Sequence, residues 1–205
     1  MGITMTRITQ ITTVITALTI MIGFTAIPNV SAHSEDNPQK WFASKTQSLC
    51  YADTGISYLK FDGSTPNTAA AKTQIRLGQS QMSDNTNMNL SETTSCTGYK
   101  NWVTSFYDSN TSLAAYATAL FTTSGTEYKL IYFNNNQYEY WVTNGNCSST
   151  TLDLSNISNH EFGHFAGMMH QTDGSTGHTM MRDPCTSDNS SIKSADISFV
   201  NPHYP

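Results

Sequence analysis

The stretch NHEFGHFAGMMHQ, residues 159–171, sets three histidines and one glutamate within eleven positions of a chain that has six histidines in all. On a helix, His160 and His164 are four apart and therefore share a side about one turn apart, close enough to bind one metal ion. Glu161 is offset around the helix toward the same rim. Leu154, Phe162 and Phe165 fall on another side and make a stripe that can be buried. Asp153 offers a side-chain oxygen to cap the first turn. Gly167 is a natural stop, because glycine accepts the left-handed conformation just past a helix end. The expected helix is therefore 154–167, with His170 swinging back to the ion held by His160 and His164. Three imidazoles and one open position describe a catalytic zinc site, since a structural site fills the fourth position with protein. Glu161 is the candidate general base. Adding the glycine and third histidine to His-Glu-x-x-His lowers its chance occurrence to the order of one in a hundred thousand chains at average residue usage.

The leader bears on where such a site would work. Arg7 is the only charge before Glu35, and the apolar run ITTVITALTIMIGFTAIP follows it. Val30 and Ala32 fit the small-residue rule for signal peptidase, so residues 1–32 read as a signal peptide and 33–205 as a single domain, mature from His33. Pro28 ends the apolar run early and no basic stop-transfer cluster follows, which argues against stable membrane insertion. The expected location is secreted and extracellular. The formal net charge is −5, and lysines and arginines are scattered singly, so no nucleic-acid surface is expected. Cys50, Cys96, Cys147 and Cys185 contain no C-x-x-C pair, and an even count in an exported chain favours two disulfides among three possible connectivities. Sequence order favours Cys50–Cys96 and Cys147–Cys185.

Along the chain, LCYADTGISYLKF reads as one or two strands and TPNTAAAKTQIRLGQSQM as a helix of moderate length. Residues 83–98 are polar and turn-rich. YKNWVTSFY is a strand candidate, SLAAYATALFTTSGTEYKLIYFN two extended pieces around a turn, and QYEYWVTNG a short extended piece. Residues 168–190 are loop-like, and SSIKSADISFVN is a short amphipathic helix ended by Pro202. Strands with one helix inserted early and two late imply an α+β (mixed α/β) domain. The aromatic residues Tyr132, Phe133, Tyr138, Tyr140 and Trp141 fit core and sheet surface better than a sugar platform.

HEFGHFAGMMH resembles the metzincin signature H-E-x-x-H-x-x-G-x-x-H of zinc peptidases, with its downstream Met-turn. The resemblance implies His160, His164 and His170 as zinc ligands and Glu161 as the catalytic base. It also implies Met181, in HTMMRDP, as the methionine beneath the metal, with Met180 as the runner-up. YKLIYFNNNQYEYW resembles the strand ending in Asn of matrixin-like members. ADISFVNPHY, with Asp196, Ile197, Val200 and Tyr204, resembles their C-terminal helix, whose acidic residue braces the Met-turn. The implied fold is a twisted mixed sheet with an active-site helix and a small C-terminal subdomain. Ser112–Tyr116 falls where the family runs an antiparallel edge strand above the zinc, suited to binding an extended peptide. Departures from the matrixin pattern are Gln171 after the third histidine, a longer loop to Met181, and Pro202. His178 could compete as third ligand, but the family spacing favours His170. The expected activity is a monomeric, Zn2+-dependent endopeptidase acting on protein or peptide substrates. The alternative is a secreted zinc-binding module without catalysis, acting in adhesion or at a surface.

Overall fold

Leu49, Cys50 and Tyr51 end a strand whose buried side chains close one sheet position after another, and that strand sits inside the sheet it begins. The computed structural model describes residues 42–52, 56, 59, 68–98, 101–109, 113–121, 127–135, 141–142, 152–170, 179–181 and 191–205. Its main sheet has the order β2-β1-β3-β5-β4, formed by β1 (Thr46–Tyr51), β2 (Asn89–Thr93), β3 (Asn101–Phe106), β4 (Ala115–Phe121) and β5 (Glu127–Asn134). β1 runs parallel to β2 and β3, and β3 parallel to β5, whereas β4 is antiparallel to β5 and lies at the edge. Parallel neighbours need a crossover, and α1 (Thr68–Asn85) supplies it between β1 and β2. A second, two-stranded parallel pair joins β6 (Trp141–Val142) to β7 (Leu152–Asp153), which leads directly into α2 (Leu154–Phe165). The chain ends with α3 (Ser194–Val200) and a 3-10 turn, Asn201–His203. Among the described residues this is an α+β domain with a five-stranded mixed sheet and three α-helices.

The core lies between the sheet and the helices. Ile131 and Phe133 of β5, Val103 of β3, and Ala115 and Ala117 of β4 meet Ile75 and Met82 of α1 and Ile157, Phe162 and Phe165 of α2. Phe133 and Trp141 are fully buried, and the Trp141 indole N–H donates to the Asn134 carbonyl at 3.2 Å. Tyr132 lies half-buried on the opposite sheet face, stacked on Tyr116 at 4.8 Å between centroids. Tyr138 and Tyr140 lie outside the described residues. Asn134, the last residue of β5, ties two loops together. Its side chain exchanges hydrogen bonds with both main-chain groups of Asp108 and donates to the Leu113 carbonyl.

Cys50 and Cys96 are joined as expected, their Cα atoms 5.3 Å apart. The pairing expected for Cys147 and Cys185 lies outside the described residues, as do His178 and the proposed leader.

Two expectations need correcting. The polar segment 83–98 contains strand β2, held by the buried Met88 and Leu90 between exposed polar positions. Its sparse apolar content suits an outermost strand, which needs only one buried face. The C-terminal α-helix does stop before Pro202, at Val200, and Pro202 sits in the first turn of the 3-10 segment that follows, where its missing N–H is not required. Finally, α2 is not anchored by one face only: Leu154 and every residue from Asn156 to Phe165 are buried. The cause is α1, which crosses so closely at Gly78 that a Cβ there would lie 2.6 Å from the Ser158 carbonyl carbon and 2.8 Å from the Asn159 nitrogen. The Ser158 hydroxyl seals the crossing by donating to the Ile75 carbonyl at 2.8 Å.

Candidate metal centre

α2 begins as its sequence dictates. Asp153 is the N-cap in extended conformation, and its Oδ1 accepts the Asn156 N–H at 2.9 Å and the Ser155 hydroxyl. Without this cap the helix would start with an unanswered buried donor. The next turns carry His160 and His164, both 1% exposed.

Each of these rings is fixed through Nδ1. His160 Nδ1 lies 2.9 Å from the Met180 carbonyl oxygen, and His164 Nδ1 lies 2.9 Å from the Met168 carbonyl oxygen. A carbonyl only accepts, so both Nδ1 atoms carry the hydrogen and both Nε2 atoms present lone pairs. His170, half-buried, brings its own Nε2 to 3.0 Å from each of them. One Nε2–H on His170 can point at only one neighbour, which leaves the other contact between two lone pairs. A shared cation removes that conflict. Three nitrogens about 2.0–2.1 Å from one tetrahedral zinc ion stand roughly 3.3 Å apart, close to the spacing here. The three ligand atoms lie within 4.8 Å of one another, and among the described residues they form a group that could hold a metal ion. The residues fit a metal; an all-imidazole donor set favours zinc over hard cations such as calcium or magnesium.

Glu161 stands outside that ligand group and is completely buried. Burial pushes its carboxyl well above the usual carboxylate range, partly offset by the main-chain N–H of Ala117 on β4. That approach falls short of a full hydrogen bond, since neither carboxylate oxygen has a hydrogen-bond partner. Buried carboxyls without a hydrogen-bond partner are rare, and strongly shifted ones are enriched at functional sites.

The floor of the site is the 3-10 turn Thr179–Met181, with Met180 and Met181 buried. A Cβ at Gly163 would come 2.3 Å from Met181 Sδ, so this sulfur lies directly against the helix between the two histidines' turns. Both methionines therefore contribute, Met181 by packing and Met180 by the carbonyl that fixes His160. Asp196 is fully buried and accepts the Lys193 N–H at 2.9 Å, while its helix α3 packs against the 179–181 turn.

The helix ends in a Schellman motif. Gly167, at φ +101°, donates to the His164 carbonyl at 2.9 Å, and Met168 donates to the Gly163 carbonyl at 3.0 Å. This leaves the carbonyls of Phe165 and Ala166. Lys129 Nζ donates to Phe165 at 2.9 Å, and the Tyr204 hydroxyl donates to Ala166 at 2.9 Å. Lys129 is fully buried on β5, its ammonium 4.4 Å from the Phe42 ring centroid and 3.9 Å from Glu127 Oε1. Burial lowers its pKa from 10.5 to about 8, with Glu127 acting in the opposite sense.

Of the residues expected at the site, His160, His164 and His170 converge, Glu161 lies beside them on α2, and Met181 packs beneath. Sequence reasoning missed the carbonyls of Met168 and Met180, Gly78, Ala117 and Lys129. The signal for Lys129 was present: in EYKLIYFN it shares its strand face with Ile131 and Phe133, so alternation points a lysine into the core.

No family model matches the sequence, and no curated protein matches it. A solved structure described as the GM1 bound form of the ECX AB5 holotoxin is similar over 78% of this chain and 80% of that one, at 12% identity and a TM-score of 0.45. At that score the likeness carries no conclusion about fold or function.

Proposed function

We propose that the chain is an exported, zinc-dependent endopeptidase of metzincin type that acts as a monomer on protein or peptide substrates. The observation that carries this reading is the convergence of three imidazole Nε2 atoms, two of them with tautomers fixed by carbonyls, next to a buried glutamate on the same helix. Zinc held by three imidazoles supplies Lewis acidity toward a carbonyl and acidifies a water toward roughly pKa 7.

The chain's own residues supply the rest. His160 and His164 hold their lone pairs in fixed directions through Nδ1, so little reorganisation is needed on binding. Glu161 accepts a proton at a carboxylate oxygen and releases it to the leaving amine, a role that its place on α2 directly after His160 supports. β4 is one of the two edge strands of the main sheet and carries Ala117 beside Glu161, so an extended peptide added along β4 would run past the carboxylate. Such addition uses main-chain groups, which makes binding tolerant of sequence. Met181 closes the site from below as the Met-turn methionine.

Mature protein incubated with casein or gelatin, with and without a chelator, tests this reading. The expected result is cleavage that the chelator abolishes and added zinc restores. Zinc-loaded protein that leaves unfolded substrates intact would instead favour a non-catalytic zinc-binding module.

A further inference from the structure

The end of α2 is held by side chains remote in sequence, 36 and 38 residues away from the carbonyls they serve. The Schellman turn answers Gly163 and His164, but it does nothing for the carbonyls of Phe165 and Ala166. A buried carbonyl without a donor is costly. An ammonium also suits this position because the negative end of the helix dipole points at it. The arrangement is closed from outside by Phe42, whose ring packs 4.9 Å from that of Phe165 and whose N–H donates to the Tyr204 hydroxyl at 3.3 Å.

Only three residues separate Ala166 from His170, and within them Gly167 makes the turn and Met168 carries the carbonyl that orients His164. The orientation of the Phe165 and Ala166 peptide groups therefore decides two things: where the Met168 carbonyl lies, and how far His170 reaches. Resting on the metal-centre reading above, we propose that Lys129 and Tyr204 are positioning residues, clasping the end of α2 so that His164 keeps its direction and His170 reaches the other two histidines. Neither side chain touches the ion or the substrate.

Lys129→Met retains the stem and removes the donor, and Tyr204→Phe removes a single hydroxyl. Zinc affinity is measured by competition with a chromophoric chelator, and coordination by the visible spectrum of the Co2+-loaded full chain. Leu90→Ala, in the core at the far edge strand β2, controls for simple loss of stability. Each clasp variant is expected to bind zinc at least about tenfold more weakly, within the range seen for residues that orient ligands. Its cobalt bands should weaken as one imidazole is replaced by water, whereas Leu90→Ala keeps the wild-type affinity and spectrum. Clasp variants with wild-type affinity and spectrum would overturn the proposal, as would an equal loss in Leu90→Ala. Wild-type protein that takes up neither ion would overturn the metal centre itself, and this role with it.

Discussion

Gly78→Ala tests whether the α1–α2 crossing sets the geometry of the centre. The added Cβ would meet the Ser158 hydroxyl at 2.5 Å, the Ser158 carbonyl carbon at 2.6 Å and the Asn159 nitrogen at 2.8 Å. Two of these are main-chain atoms of α2 and cannot rotate away. Ordinary carbon contacts need about 3.5–4.0 Å, so the helices would have to part by roughly 1 Å. Overpacking of this kind costs about 1–3 kcal/mol. Loss of the Ser158–Ile75 hydrogen bond, 2.8 Å long here, adds about 1 kcal/mol. Against this, alanine gains about 1 kcal/mol over glycine in helix propensity. The net expectation is a destabilisation of about 1–3 kcal/mol, read from urea unfolding of the metal-free protein. Because His160 follows Asn159 directly, the same displacement moves a ligand by more than the roughly 0.5 Å that such constellations tolerate. Zinc affinity should therefore fall as well. Ser80→Ala, on the exposed face of α1, should stay within about 0.5 kcal/mol. A Gly78→Ala protein that is more stable than wild type, with unchanged zinc affinity, would refute the close-crossing argument.

Glu161→Ala should keep its zinc and its fold while turnover drops by about 10²–10⁴-fold, because the glutamate moves a proton and is not a ligand; loss of zinc on this substitution, measured by elemental analysis, would show that role to be wrong. Lys129 should give stability a pH dependence. With its pKa at about 8 in the folded chain against 10.5 ordinarily, its contribution is complete above about 10.5 and is lost as pH falls through about 8. Stability should therefore rise from pH 8 toward 10, by an amount on the order of 3 kcal/mol over the full window, and Lys129→Met should flatten the slope. Above pH 10, buried Tyr51 and Tyr204, whose pKa values burial raises, begin to act in the opposite direction. Denaturation midpoints across pH 7–10 that stay level in the wild type would contradict this.

What could be read from sequence followed from local patterns. Asp153, the spacing of His160 and His164, and Gly167 are all within one helix, so capping, periodicity and the left-handed turn declared it before any tertiary contact was known. The alternating apolar residues of β3 and β5 likewise announced their strands. β2 was hidden because Leu90 is its one buried residue, with Met88 just before it, and its identity as a strand comes from main-chain pairing to β1. The complete burial of α2 was hidden for a related reason: it depends on a glycine 80 residues earlier allowing another helix to touch its backbone. Partners that are main-chain carbonyls, as at Met168 and Met180, leave no trace in residue identity. Lys129 did leave one, in the register of its strand.

Elemental analysis of protein purified without chelators bears most directly on whether the three histidines hold a metal. About one zinc per chain is expected, removed by a chelator and lost in His160→Ala and His164→Ala variants that remain folded. Protein that emerges folded, free of any transition metal and unable to take up zinc, would contradict the centre on which the proposed function stands.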